Sequence, residues 1–309
     1  VAPVFAGMGL QVFERGWLSS NNVLLQAGQG PATVIDTGYV AHAAQTVALV
    51  ERGLGTVSLE CILNTHLHSD HCGGNAALQQ RWPRAQTIVP HTCFGAAAAW
   101  DAEALTFEMT DQRCDRFRVD AALREGDELW LGPLRWQVHA APGHDPTAVM
   151  LFEPAQRVLI SGDALWERRL AIVFPELVGE PGFDDCLATL QTIERLSPAI
   201  VIPGHGAPFT DVAAAVAASR ARVEAFAQRP DKHRTHAVRA LVMFHMLEIG
   251  ACPFDALADW LCRAPIVAHT GGVADKALRR EWARDVVERL VSDGALRREG
   301  DNLHLEGRR

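Results

Sequence analysis

Three histidines and an aspartate fall within six residues in the run Thr65-His66-Leu67-His68-Ser69-Asp70-His71-Cys72-Gly73-Gly74. Imidazole nitrogen and carboxylate oxygen together suit zinc, and also iron or manganese, whereas a calcium site would be built from oxygen alone. Single candidate ligands recur beside glycine further on: His144 in Ala140-Ala141-Pro142-Gly143-His144, Asp163 in Ser161-Gly162-Asp163, and His205 in Pro203-Gly204-His205-Gly206. Glycine next to a ligand lets the backbone turn sharply and carry the side chain over a sheet edge. A single structural zinc saturates at four ligands, so the larger set points to two divalent ions. A pair of cations lowers the pKa of a shared water toward ~7, which supplies hydroxide for attack on a carbonyl carbon or phosphorus without a side-chain nucleophile.

The elements that must position these residues are legible around them. Asn22 to Gln26 and Ala32 to Asp36 read as a strand hairpin, followed by a helix from His42 to Arg52 that stops at Gly53 and a short buried strand from Cys61 to Asn64. A helix over Asn75 to Arg81, a strand over Thr87 to Val89 and an alanine-rich helix near Gly95 to Trp100 come next. Glu128 to Leu131, Arg135 to Ala140, Val149 to Phe152 and Val158 to Ser161 read as antiparallel strands, and a helix from about Asp184 leads to the strand Ile200 to Ile202. Strands first and helix–strand pairs after, twice over, predict two sheets face to face with helices outside, an α/β four-layer αββα sandwich.

Asp211 is expected to cap a helix that stops before Pro230, and the domain boundary is placed there: 1–229 catalytic, 230–309 a small C-terminal helical domain. Val238, Leu241, Val242, His245 and Ile249 form one helical stripe, with His245 read as a core histidine. Helices near Asp255 to Leu261 and Asp275 to Val291, then a hairpin of Ala295 to Arg298 with Asn302 to Leu305, resemble a winged helix. This unit reads as a dimerisation or lid domain, and a homodimer is one expectation.

With these motifs in order, residues 10 to 210 resemble the metallo-β-lactamase superfamily, and Asp36 at its strand end matches the first of the family's five motifs. The resemblance implies that His66, His68 and His144 hold one metal and Asp70, His71 and His205 the other, with Asp163 bridging. Asp70 and Asp163 become the catalytic carboxylates, and Asp36 orients the His66-to-His71 loop through hydrogen bonds without touching metal. Two divalent ions, zinc before iron or manganese, are the expected cofactors. Asp163 stands where the best-known β-lactam hydrolases place cysteine or serine, which directs the expectation to a small ester, thioester or lactone. Glyoxalase II enzymes share the metal motifs but use lysine and tyrosines for glutathione; here Lys232 and Lys276 are the only lysines and Tyr39 the only tyrosine. The diiron flavoprotein branch is disfavoured by His68. Two rivals stay open: a metal-dependent endoribonuclease or phosphodiesterase, since the lactamase-like subgroup with an appended winged helix includes one, and a mononuclear iron dioxygenase of the persulfide type.

Composition bears on partners. The chain has 309 residues and a net charge of −8, and from Asp231 onward it carries 13 Lys/Arg against 12 Asp/Glu, leaving 16 against 25 in the first 230 residues. An acidic main domain offers no basic stripe, so a small-molecule substrate is expected over nucleic acid. No apolar run is long enough for a membrane helix. Seven dispersed cysteines with no C-x-x-C are read as reduced thiols of a cytoplasmic protein, and the start at Val1 as a processed or trimmed terminus. Cys72 reads as small buried filler, Trp166 and Glu167 as residues lining the substrate mouth. The remaining histidines outside the motifs, His42, His91, His139, His233, His236, His269 and His304, read as surface or core.

Overall fold

A computed structural model describes residues 2–270 and 275–305. The first sheet runs in the order β1 (Leu10–Phe13), β2 (Asn22–Leu25), β3 (Thr33–Ile35), β4 (Cys61–Leu63), β5 (Gln86–Pro90) and β6 (Ala121–Leu123). The second contains β7 (Glu128–Leu131), β8 (Leu134–Ala140), β9 (Val149–Glu153), β10 (Val158–Gly162) and β11 (Ile200–Pro203), ordered β11-β10-β9-β8-β7.

The period of two in the strands decides the layers. Val23, Leu25, Ile35 and Leu63 of the first sheet share one buried cluster with Trp136, Val138, Leu151, Ile160 and Ile202 of the second. The intervening Leu24, Val34 and Ile62 turn the other way, onto Val50 and Leu54 of the helix Ala43–Leu54 and Leu78 of the helix Asn75–Arg81. Met150, Leu159 and Val201 likewise leave the second sheet to meet Leu190 and Ile193 of Phe183–Leu196 and Ala215 and Val216 of Val212–Gln228. Helix, sheet, sheet and helix are therefore stacked as the order of elements predicts. Each fully buried aliphatic side chain contributes about 1.5–3 kcal/mol to that stack.

Strand direction then gathers the loops. β3 and β4 are parallel, β8 and β10 both run antiparallel to β9, and β11 is parallel to β10. The carboxyl ends of β3 and β4 consequently lie at one edge of the first sheet, and those of β8, β10 and β11 at one edge of the second. Val149 N–H donates to Thr65 C=O at 2.9 Å and Asn21 N–H to Gly204 C=O at 2.6 Å, so the two edges meet.

Several local expectations shift. The helix expected to stop at Gly53 continues to Leu54, and Gly55 at φ +62° ends it. Gly53 has a packing role, since a Cβ there would run into Leu24 Cδ2. The alanine-rich helix starts earlier, at His91. Strands β1 and β6 and the short helices Phe107–Thr110 and Phe174–Leu177 carry too little periodicity to be read from sequence.

The C-terminal part has helices Pro230–Ile249, Phe254–Arg263, Pro265–Thr270 and Lys276–Ser292 and a sheet of β12 (Ala251–Pro253), β13 (Leu296–Glu299) and β14 (Asn302–Leu305), with β14 central. Its core joins Leu241, Val242, Met246, Leu257, Leu261, Val287 and Leu303, and takes in Ile172 and Leu177 from the sandwich. Ile249, expected on the buried stripe, is 41% exposed because it closes its helix beyond Met246, just before Gly250. His245 is half-buried, stacked on the Trp260 ring at 4.1 Å. Residues 271–274 and 306–309 of the expected domain lie outside the described residues. Among the described residues no helix is long and apolar enough to cross a membrane, and all seven cysteines are free.

Candidate metal centre

All seven residues singled out from the sequence come together at the meeting edges. His66, His68 and His144 form one group of converging ligand atoms and Asp70, His71 and His205 another, while Asp163 joins His66 and His71 in a third; in each the atoms lie within 4.8 Å of one another. Asp163 spans the two groups, with Oδ1 3.3 Å from His71 Nε2 and Oδ2 3.5 Å from His144 Nε2 and 4.0 Å from His205 Nε2. Asp70 Oδ2 lies 3.0 Å from His205 Nε2 and 3.8 Å from His71 Nε2.

Partners on the far side of each ring fix which nitrogen faces inward. His144 Nδ1 lies 2.5 Å from the Ile172 carbonyl oxygen, and His71 Nδ1 lies 2.8 Å from Asp36 Oδ2. Both acceptors require N–H at Nδ1, which turns the Nε2 atoms toward the centre. Thr65 Oγ1–H donates to Asp36 Oδ2, so its lone pairs receive His66 Nδ1–H at 3.2 Å. His68 is reversed: Nε2 faces Asp145 Oδ2 at 3.4 Å, and Nδ1 points inward.

This donor set fits divalent cations on its own geometry. The inward nitrogens of His68 and His144 are 2.8 Å apart, so they share either a proton or a metal ion. His66 Nε2 is buried without a hydrogen-bond partner, a costly state for an imidazole nitrogen that metal ligation removes.

The electrostatics agree. Burial, then the neighbouring imidazoles of His71, His68 and His144, hold the His66 pKa well below its ordinary 6.5. Burial and His144 bring His68 down to about 4. His71 goes the other way: burial opposes its charge, but Asp163, Asp36 and Asp70 outweigh that and hold it well above 6.5. Burial disfavours the Asp163 and Asp70 carboxylates, yet His71 and His205 keep both below 3.8. Asp70 and Asp163 thus stay ionised beside the His71 imidazolium, whose charge a metal would replace.

Backbone conformation supports the arrangement at two places. Asp36 has φ +56°, a left-handed conformation that costs about 1–3 kcal/mol in a non-glycine residue. Its side chain offsets this locally by accepting Thr65 N–H at 2.9 Å, Thr65 Oγ1–H at 2.8 Å and His71 Nδ1–H. Gly204 is glycine because the site leaves no room: a Cβ would collide with Asp163 Oδ1 and come within 2.9 Å of His71 Cε1.

Other expectations divide. Cys72 is fully buried, with Sγ on the carbonyls of Leu67 and His68, as filler. Trp166, expected at the mouth, is buried, and its Nε1–H donates to Asp163 Oδ1 at 3.1 Å. Glu167 is exposed, paired with Arg168. Asp145, Trp17 and Phe174 were missed. Asp145 could have been found from its place beside His144, whereas Trp17, 5.1 Å from the His205 ring, and Phe174, 4.8 Å from the His68 ring, carry no local signal.

Known proteins resemble this chain in sequence and fold. Residues 15–205 match the model of the metallo-beta-lactamase superfamily. The chain is 30% identical over 232 residues to mouse metallo-beta-lactamase domain-containing protein 1, covering 67% of this chain and 76% of that protein. It is 25% identical over 212 residues to bovine acyl-coenzyme A thioesterase MBLAC2, covering 62% and 76%. Hydroxyacylglutathione hydrolase of Legionella pneumophila (strain Paris) is 27% identical over 124 residues, 40% of this chain and 41% of that enzyme. The crystal structure of the metallo-beta-lactamase family protein TTHA1429 from Thermus thermophilus superposes with a TM-score of 0.57 at 22% identity, covering 96% of this chain and 98% of that one, and so shares its fold. A family match over more than half the chain, on a four-layer sandwich whose strand ends gather five histidines and two aspartates, makes this chain a member of the metallo-β-lactamase superfamily.

Proposed function

We propose that the chain is a hydrolase of a small ester, thioester or lactone, with His66, His68 and His144 holding one divalent ion, Asp70, His71 and His205 a second, and Asp163 bridging. Zinc is the favoured ion for a nitrogen-rich set, ahead of iron or manganese. The observation that carries the reading is the pair of ligand triads with a carboxylate between them. Ions bound there supply two things, a polarised carbonyl oxygen and a water whose pKa falls toward ~7.

The chain's own residues do the rest. Asp36, the Ile172 carbonyl and Asp145 hold the rings of His71, His144 and His68 in the tautomers that ligation requires. Trp166 Nε1–H fixes Asp163 Oδ1 and so sets the orientation of the bridging carboxylate. Phe174 beside His68 and His144, and Trp17 beside His205, give the approach an apolar lining that favours the acyl part of a substrate. The thioesterase and hydroxyacylglutathione hydrolase named among the relatives support a thioester as the first substrate class to try. We read residues 230–309 as a second, winged-helix-like domain that borders this site.

Elemental analysis together with an assay of esters, acyl thioesters, lactones and RNA, on zinc-, manganese- and iron-loaded protein, tests the proposal. Two zinc ions per chain and thioester or lactone hydrolysis are expected. One iron per chain with oxygen uptake on a persulfide, or RNA cleavage whose binding weakens steeply between about 50 and 200 mM salt, would replace it.

A further inference from the structure

His233 stands outside every metal motif, in the first turns of the helix Pro230–Ile249, and is 1% exposed. Its ring packs between Phe183 and Phe226, with centroids 5.2 Å from each. The hydrogen bond it makes explains its burial: Val173 N–H donates to His233 Nε2 at 3.2 Å. The carbonyl of that same peptide unit, Ile172 C=O, is the acceptor for His144 Nδ1–H. In a trans peptide the N–H and C=O point in opposite directions, so one planar amide stands between the two imidazoles, accepting from one and donating to the other.

Packing reinforces this link. Ile172 and Leu177 belong to the C-terminal core, and Phe174, which also packs against that core, touches the rings of both His68 and His144. The segment from Ile172 to Leu177 is thus shared: one side is anchored in the C-terminal helices, the other borders the metal centre. Hydrogen bonds in series through an amide polarise one another, so an acceptor on Val173 N–H strengthens the Ile172 carbonyl as an acceptor for His144.

We propose that His233 is a positioning residue of the metal centre, contributed by the C-terminal helical unit, which holds the Ile172–Val173 peptide and through it the tautomer and orientation of His144. The inference rests on the reading of His144 as a ligand. Only a neutral His233 can accept from Val173, and its environment keeps it so: burial, then His236 and Arg234, bring its pKa down to about 4. The C-terminal unit accordingly completes the site from behind.

The test compares His233→Leu, which loses the acceptor, with His233→Gln, whose side-chain oxygen restores it. Zinc affinity is measured by competition with a chromogenic chelator, and the ligand field by the visible spectrum of the cobalt-loaded protein. Partners that orient a metal-bound histidine typically contribute about 10–100-fold in affinity; His233→Leu should weaken one of the two ions by about tenfold and alter the cobalt spectrum, while His233→Gln stays near wild type. Wild-type affinity and spectrum in His233→Leu, or equal losses in both variants, would overturn the proposal. Should the leucine variant not fold, the histidine ring ¹⁵N signals of the wild-type protein decide: on zinc addition the His233 signal should move and that of the remote His304 stay, and an unmoved His233 refutes the link. A wild-type protein that binds no metal would instead undo the metal-site reading itself.

Discussion

Replacing Gly204 by alanine adds a single methyl group at the point where the two sheet edges press together. Built on the observed backbone, that methyl collides with Asp163 Oδ1 and lies 2.9 Å from His71 Cε1 and 3.1 Å from the Gly162 carbonyl carbon. None of these is the free end of a flexible chain, because Asp163 is held by Trp166 Nε1 and His71 by Asp36. Relief therefore requires Asp163 or the Pro203-to-Gly206 loop to retreat on the order of 1 Å, a displacement that can lower turnover by ~100-fold. The overpacking itself costs about 1–3 kcal/mol of stability. Metal content after gel filtration, the urea unfolding midpoint and turnover on the best ester or thioester give three independent readings. Gly95→Ala is the control: Gly95 is exposed in the helix His91–Ala99 with nothing within 4 Å of a Cβ, so alanine should stabilise by about 0.5–1 kcal/mol and leave metal content alone. A Gly204→Ala protein with the wild-type metal complement and turnover would show that the crowding argument is wrong.

Asp36→Asn should lower metal affinity by about 10–100-fold despite its equal size, because an amide NH2 in place of Oδ2 would present hydrogens to both Thr65 Oγ1 and His71 Nδ1 and turn His71 toward the wrong tautomer; chelator competition measures the loss, and an unchanged affinity refutes the assigned role. Because Asp163, Asp36 and Asp70 outweigh burial and hold the metal-free His71 pKa well above 6.5, metal binding near neutrality must displace its proton, so affinity rises with pH. Calorimetry in buffers of different ionisation enthalpy should register proton release, and buffer-independent heats would contradict this. His233 titrates near 6.5 when unfolded and about 4 when folded, so the unfolded chain binds the extra proton. Its contribution to stability is whole above about pH 6.5, is lost as pH falls toward 4, and amounts to about 3 kcal/mol at most. Urea unfolding of the metal-free protein should accordingly show a steeper loss over that window than His233→Gln does.

The chemistry and the layer order are written in neighbouring residues. The run from His66 to His71 carries its information in a single loop, the glycines at 143, 162 and 204 mark where the proposed ligands leave the sheet, and the short apolar runs in Asn22–Leu25 and Val158–Gly162 report buried strands without reference to anything distant. The surroundings of those ligands emerge only when the chain is folded. Trp17 and Phe174 border the site through contacts with rings that lie elsewhere in the chain, and Trp166, expected at the mouth, also donates to Asp163. Gly53, read as a helix stop, is glycine because Leu24 occupies the space of its Cβ. His233, read as a bystander, is joined to His144 through a peptide unit about sixty residues away. Periodicity and motif spacing encode local geometry, whereas hydrogen bonds that close over long separations depend on how two sheets and a helical addition meet, and no local pattern records that meeting.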